Sequence, residues 1–276
     1  MKFVLAPDKY KGSINGQQFC EAVEMGIRKV FQDAEIIKKP LADGGDGTID
    51  VVKHYLNAVE VKTTVKDPLF KEIESGYLFS KEKEIAFIEM SEASGYKLLS
   101  KHELNCMKTT SMGTGQLIAH ALEQGAREIV LGIGGSATND GGMGMATALG
   151  YQFLDKNEKV LEPIGQNLNK VADIKTDKVL PQLESLKEKV ACDVKNPFYG
   201  KDGAAYVYAI QKGASPEEVE QLDKGLRNFA EVIDKKFGDA IQNVPGAGAA
   251  GGMGAGAMAF LKWSLFKGLN RSKSIK

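Results

Sequence analysis

The stretch LGIGGSATNDGGMG, residues 131–144, places two glycine pairs and short polar side chains between an apolar run and a helix-forming run. The apolar run covers residues 129–131, and the helix-forming run covers residues 145–149. A glycine pair on its own is most often a tight turn. A glycine-rich loop between a strand and a helix can also bind an anion, because its backbone N–H groups approach the anion closely and the helix N-terminus adds positive charge. Among anions, phosphate suits such a loop best.

Residues 1–57 predict two successive units of strand, polar loop and helix. Residues 2–5 predict the first strand, and residues 35–47 predict a second short strand that ends in an Asp-Gly-Gly-Asp-Gly loop. Apolar residues recur at three- and four-residue spacing after each loop, and Ser13 and Thr48 are the candidate helix caps. Strands that alternate with helices in this way indicate an α/β fold with a parallel sheet.

The hydrophobic pattern changes at Val59. Residues 59–65 alternate between apolar and polar side chains, and residues 76–80 and 84–90 predict the two strands of a hairpin. A helix is predicted over residues 113–125, directly before the strand that leads into the opening stretch. The hairpin favours a second domain with a mixed sheet.

The clearest helical pattern covers residues 215–238. Ser215 and Glu218 have the spacing of a capping box, and Pro216 stands at the first helical position, which tolerates proline. Apolar residues then form one stripe along the predicted helix.

Composition and residue spacing exclude several classes of function. Lys and Arg together number 36, as do Asp and Glu, so no global field attracts the chain to nucleic acid or to an anionic membrane. No apolar run approaches the ~20 residues of a transmembrane helix. The three cysteines are far apart, which favours a reducing, cytoplasmic location. The three histidines and the cysteines lack metal-ligand spacing, and no serine stands in a Gly-x-Ser-x-Gly elbow.

Four loops combine glycine with acidic or hydroxyl side chains or with alanine. They cover residues 6–13, 42–48, 131–144 and 245–260. Loops at the carboxyl ends of parallel strands line the ligand crevice of α/β sheets. None matches the Walker pattern or a dinucleotide-binding fingerprint. Two simpler interpretations stay open at this point: the Gly/Ala run at 245–256 as close packing of a helix on a sheet, and Asp8 with Lys11 as a helix cap and a solvated lysine.

An anion-binding site in this protein must obtain its positive side chains from lysine, because arginine is scarce. The sequence holds four arginines, and none of them stands in a glycine-rich loop. Any clamp on an anion must therefore use lysine side chains and backbone N–H groups.

Nine blocks in a fixed order make the chain resemble the type I glycerate kinase family of bacteria. The blocks are APDKYKGS (6–13), PLADGGDGT (40–48), IEMSEASG (88–95), TTSMGTGQLI (109–118), GIGGSATNDGGMGM (132–145), ACDVKNPFYG (191–200), DGAA (202–205), QKGA (211–214) and PGAGAAGGMGAG (245–256). Lys9, Asp46 and the pair Ala209-Ile210 depart mildly from the family pattern. After Phe260 the family continues differently, whereas this chain ends in a basic segment without acidic residues.

The resemblance implies transfer of the γ-phosphoryl group of ATP to glycerate, typically giving 2-phosphoglycerate, with ATP and Mg²⁺ required. It implies a flavodoxin-like (Rossmann-like) α/β domain and a second, restriction-enzyme-like mixed α/β domain, with the active site between them. We expect residues 1–57 to open the first domain, residues 58–260 to form the second, and residues 261–276 to be an atypical tail. The alternative is a truncated, inactive remnant that binds nucleotide or small acids without phosphoryl transfer. A dinucleotide-dependent dehydrogenase is disfavoured.

The family loops supply the candidate site residues. Asp43 and Asp193 are the candidate acids that hold Mg²⁺ or position the reacting hydroxyl, and Lys11 completes the catalytic set. The residues expected to bind substrate or phosphate are Asp8, Ser13, Gly44, Gly45, Gly134, Gly135, Ser136, Thr138, Asn139, Asp140 and Asn196. Each loop aspartate has a simpler alternative, because such residues also serve as helix caps.

Overall fold

The computed structural model describes residues 1–7, 14, 16–39, 53, 57–192, 194–238, 240–261 and 265–267. Near the N-terminus, β1 (Lys2–Leu5) and β2 (Glu35–Lys38) pair in parallel, and helix α1 (Gly16–Val30) connects them. The predicted strand–helix–strand order is therefore confirmed here. The Asp-Gly-Gly-Asp-Gly loop, Ser13 and Thr48 lie outside the described residues.

A six-stranded mixed sheet forms the centre of the remaining structure. Its strands are β3 (Val59–Lys66), β4 (Glu72–Ser80), β5 (Ile85–Glu89), β6 (Glu128–Gly132), β9 (Lys187–Cys192) and β10 (Leu265–Lys267), in the spatial order β10-β9-β6-β5-β4-β3. The predicted hairpin is confirmed, since β4 and β5 are antiparallel with Ser80 opposite Ile85. β5, β6, β9 and β10 run parallel to one another, so their carboxyl ends meet at one edge.

Helices and a small hairpin cover this sheet. The helices are α2 (Ser91–Ser94), α3 (Met112–Glu123), α4 (Met143–Ala148), α5 (Ala204–Tyr208), α6 (Pro216–Phe237) and α7 (Ala249–Leu261), and the hairpin pairs β7 (Gln152–Leu154) with β8 (Asp173–Lys175). The predicted capping box of α6 is confirmed. The Ser215 hydroxyl accepts from the Glu218 backbone N–H at 3.3 Å, and the Glu218 carboxylate accepts from the Ser215 backbone N–H at 2.8 Å.

The Gly/Ala run contributes close packing rather than an open loop over residues 249–257, where nearly every residue is buried. A Cβ atom added at Gly256 would lie 2.5 Å from the carbonyl oxygen of Gly141, so only glycine allows this approach of α7 to the opening stretch. The Gly141 N–H also donates to the Gly251 carbonyl at 3.1 Å. Farther along α7, Phe260 joins an aromatic cluster with Phe153 and Phe229.

The sheet includes three residues of the segment 261–276, which the sequence predicts to be an atypical tail. Leu265–Lys267 form β10, which pairs in parallel with residues 190–192 of β9. The local sequence does not predict this strand, because its formation depends on pairing with the edge of β9. In the described part of the chain, no helix combines the length and the apolarity needed to cross a bilayer.

Candidate active site at the carboxyl edge of the sheet

The opening stretch begins where β6 ends, and backbone hydrogen bonds join it to the chain that follows β5. Glu89 and Gly132, the last residues of these strands, lie in register. The Tyr96 N–H donates to the Gly135 carbonyl at 3.0 Å, and the Ala137 N–H donates to the Ser94 carbonyl at 2.9 Å. The two loops therefore form one surface at the carboxyl edge, as expected for a parallel sheet.

Within residues 131–144, Gly134 and Gly135 are the exposed residues. Gly135 has a φ of +71°, and a Cβ atom there would lie 3.3 Å from Cβ of Ser91. A side chain would be strained in this backbone conformation and would also press on Ser91. The exposed glycine backbone leaves room for a ligand to approach the main chain closely.

A buried lysine lies beneath the same loop. Lys212 is only 4 % exposed, and its Nζ donates to the Ser136 Oγ at 2.6 Å and to the Thr138 carbonyl at 2.8 Å. No carboxylate within 4 Å pairs with this ammonium group in the described part of the chain. Burial lowers the pKa of Lys212 to about 8, although Cys106 and Asp140 act in the opposite direction.

The position of Lys212 depends on the glycine that follows it in the segment 211–214. Gly213 has a φ of +89°, and a Cβ atom there would lie 2.1 Å from the Leu104 carbonyl oxygen. The Cys106 N–H donates to the Lys212 carbonyl at 3.1 Å, which holds the turn against residues 104–106. The close approach fixes the start of the lysine side chain under the loop.

Asp140 anchors the loop from inside the protein. Its fully buried carboxylate accepts from the Ser111 N–H at 2.8 Å and the Ser111 hydroxyl at 2.7 Å, and also from the N–H groups of Gly142 and Gly144. Burial raises the pKa of Asp140, and these hydrogen bonds oppose that effect. The geometry supports a structural role for Asp140, because its oxygens already have partners and do not reach solvent.

The other predicted residues of this region have mixed surroundings. Thr138 and Asn139 are fully buried, and the Thr138 Oγ1 and both polar atoms of the Asn139 amide have no hydrogen-bond partner among the described residues. Asn196 accepts from the Tyr208 hydroxyl at 2.6 Å and donates to the Asp202 carbonyl at 2.9 Å, so its side chain is already engaged. Gly134 and Gly135 are thus exposed, whereas Thr138 and Asn139 are buried and the Asn196 side chain already has protein partners.

The remaining predictions lie outside the described residues. They are Asp8, Lys11, Ser13, Asp43, Gly44, Gly45 and Asp193. Within the described ranges, no group of three or more His, Cys, Asp or Glu side chains is arranged to hold a metal ion.

The profile of the glycerate kinase family matches residues 3–271. The chain belongs to the glycerate kinase family. It is 42% identical over 269 residues to a glycerate kinase of Bacillus cereus and 44% identical over 269 residues to a glycerate 2-kinase of Escherichia coli K12. Each alignment covers 98% of this chain and 71% of the relative. A crystal structure of a Salmonella typhimurium LT2 protein assigned as glycerate kinase 2 superimposes with a TM-score of 0.93 at 41% identity, covering 97% of this chain and 72% of that one.

This glycerate kinase family member is therefore an enzyme of the kinase type with a mixed α/β fold. The residue that sequence reasoning missed is Lys212. The sequence places this lysine in the family block QKGA and favours lysine over arginine as the cation of an anion site, yet the block alone predicts no role for Lys212. The available signal was a lysine followed by glycine in a matched block, but its contact with Ser136 spans 76 residues and has no local signature.

Proposed function

We propose that this protein transfers the γ-phosphoryl group of ATP to glycerate and forms 2-phosphoglycerate. The relatives named glycerate kinase and glycerate 2-kinase support the substrate and the product. The observation that carries the proposal is the exposed Gly134–Gly135 turn, with the Ser136 hydroxyl beside it and the Lys212 ammonium group beneath it. This combination of open backbone, hydroxyl and buried cation fits a phosphate group.

Phosphoryl transfer makes limited demands on a protein. The attacking and leaving oxygens must be held in line, and the charge on the transferred group must be neutralised. In our proposal Gly134 and Gly135 bind phosphate oxygens through the backbone, and Ser136 donates from its hydroxyl. Thr138 and Asn139 belong to the same phosphate-binding segment, whose shape Asp140 maintains from inside.

We assign the acid chemistry of the reaction to Asp43 and Asp193. These carboxylates would hold Mg²⁺, which prefers one or two carboxylates together with phosphate oxygens and water. When bound, Mg²⁺ neutralises charge on the phosphate oxygens. Lys11 completes the catalytic set. Asp8, Ser13, Gly44, Gly45 and Asn196 would contact the glycerate carboxylate or the phosphates.

The proposal includes two structural units that meet at the site. The first begins with residues 1–57 and is flavodoxin-like, and the second, residues 58–260, is of the restriction-enzyme-like type. The separate β1–β2 sheet and the six-stranded sheet support this division. We also place the protein in the cytoplasm, which is supported by three buried cysteines that form no disulfide. Glycerate and ATP are its partners in this proposal, and nucleic acid and membrane are not.

The test is glycerate-dependent formation of ADP from ATP and Mg²⁺ by residues 1–276, together with nucleotide binding measured by calorimetry. We expect Asp43→Asn and Asp193→Asn to lower kcat at least tenfold with a smaller effect on the KM for glycerate, because a metal-holding carboxylate acts mainly in the transition state. The exposed Asp177→Asn is the matched control and should be neutral. Binding of ATP without any turnover would identify a binding protein instead of a kinase.

A further inference from the structure

The buried Lys212 side chain has no carboxylate close enough to form an ion pair in the described part of the chain. A lysine that is only 4 % exposed normally has a carboxylate partner, because desolvation of an unpaired charge is costly. Lys212 instead donates to one hydroxyl and one backbone carbonyl, both in the segment 136–138. Its nearest acidic group in the loop, Asp140, is already engaged with Ser111, Gly142 and Gly144.

The hydrogen bond between Lys212 and Ser136 has a fixed direction. A lysine ammonium group can only donate, so the Ser136 Oγ must accept. The hydroxyl hydrogen of Ser136 then points to another acceptor, and none is found for it among the described residues. Ser136 is 6 % exposed and directly follows the two exposed glycines, so an acceptor bound on the Gly134–Gly135 turn would be adjacent to this hydroxyl.

We infer that Lys212 is a positioning residue that converts the Ser136 hydroxyl into a polarised hydrogen-bond donor for an anionic oxygen of ATP or glycerate. The inference rests on the proposed function and adds to it the group that makes Ser136 a donor. The lysine does not contact the ligand itself. Its positive charge strengthens the donor because a hydroxyl that accepts a hydrogen bond from a cation is polarised and donates its own hydrogen more strongly.

The same geometry also explains why the anion and the lysine depend on each other. Lys212 has no carboxylate within 4 Å among the described residues, so a negative ligand on the turn adds charge compensation to that of the more distant Asp140. Two other titratable groups affect the pKa of Lys212. They are Cys106, in the segment that packs against the Lys212 turn, and Asp140, in the loop above it. Burial raises the pKa of Cys106 to about 11, and Glu218 acts on it in the same direction. Cys106 is therefore neutral where Lys212 titrates.

The first experiment measures the affinities of ATP and of D-glycerate by calorimetry, in separate titrations, for the wild type and four variants. Lys212→Met keeps the length of the side chain and removes the charge, and Ser136→Ala removes the donor. We expect both substitutions to lower the affinity for the same ligand at least tenfold. The affinity of the double variant should be no more than about twofold below that of either single variant, because the two residues act through one hydrogen bond. Lys224→Met, at an exposed position of α6, is the matched control.

A lysine that only stabilises the fold gives a different pattern. It predicts that Lys212→Met lowers the thermal midpoint while the folded fraction binds with wild-type affinity. Our inference predicts lost affinity with a midpoint close to that of the wild type, because Lys212→Met removes the desolvation cost of a buried charge, and this gain offsets the loss of its hydrogen bonds to Ser136 and Thr138. If Lys212→Met does not fold, Ser136→Ala decides, since that variant keeps the lysine.

The second readout is the pH profile of binding, compared between wild type and Ser136→Ala. Wild-type affinity for the sensitive ligand should fall as the pH rises through about 8, where Lys212 loses its proton, and Ser136→Ala should lose this fall. Identical slopes in the two proteins, or wild-type affinity in both Lys212→Met and Ser136→Ala, would overturn the inference and leave the kinase proposal standing. A wild-type protein that binds neither ATP nor D-glycerate would overturn both.

Discussion

Gly135 stands at the point where the loop is both exposed and conformationally restricted. Its φ of +71° is a region that residues with a Cβ atom rarely adopt, and the space around it is limited by Ser91 and by the ring of Tyr96 at 3.7 Å. The residue therefore combines two requirements, access of a ligand to the backbone and a turn that only glycine adopts without strain.

We predict that Gly135→Val weakens the binding of ATP or glycerate at least tenfold and leaves the helix content nearly unchanged. The branched side chain blocks the backbone and resists a positive φ. Calorimetry and circular dichroism measure the two effects. Gly125→Val is the matched control, because Gly125 has a φ of +97° with no atom within 4 Å of its Cβ position. Normal ligand binding by Gly135→Val would make this loop a structural turn.

At the scale of elements, the contact between α7 and the opening stretch depends on two backbones that approach each other directly. Gly256 faces the carbonyl oxygen of Gly141, and Gly251 accepts a hydrogen bond from the Gly141 N–H. Because α7 packs directly on the backbone of Gly141, it limits how far the stretch 131–144 can move relative to the helix.

We predict that Gly256→Ala destabilises the protein by about 1–3 kcal/mol, the usual cost of overpacking a close contact. Gly26→Ala in α1 is the matched control, because its Cβ position has no neighbour within 4 Å. That substitution should stabilise by up to about 1 kcal/mol, since alanine favours a helix more than glycine does. Denaturant unfolding measures both values. A neutral Gly256→Ala would mean that α7 has room to move away from Gly141.

Elements that depend on local sequence could be predicted, and contacts between distant segments could not. The capping box at Ser215 and Glu218 and the hairpin of β4 and β5 are local, and the sequence predicted both correctly. The glycine loop was located, but the burial of Asp140 and the lysine beneath Ser136 arise from packing across 29 and 76 residues. β10 likewise needs the edge of β9 to become a strand.

At the scale of the whole molecule, the sheet places an acidic side chain of β9 in a half-buried position. Glu188 is in register with Ile129 of the neighbouring strand β6. Burial raises the pKa of Glu188 to about 7 from its ordinary value of 4.5. The folded protein therefore holds this proton to a higher pH than the unfolded chain does.

We predict that Glu188 makes the free energy of unfolding fall as the pH rises from about 4.5 to 7. In that range the native state binds more protons than the unfolded state, so the stabilisation is complete below 4.5 and lost above 7. Glu188→Gln should lack this fall, which we expect to be about 1–2 kcal/mol after screening by solvent. Urea unfolding at pH 5 and pH 8 measures it. The exposed Glu220→Gln is the control, and a Glu188→Gln curve parallel to the wild type would contradict the prediction.

The Asp140–Ser111 contact has a consequence for the order in which the chain acquires its structure. The Ser111 hydroxyl bonds to Asp140 and accepts from the Met145 N–H at 3.0 Å, so the starts of α3 and α4 share one hydrogen-bonded centre. The loop between β6 and α4 therefore cannot reach its final shape before α3 has docked. In native-state hydrogen exchange, the amides of Ser111, Gly144 and Met145 should open together as a single cooperative unit, with the protection of the core rather than that of a surface loop.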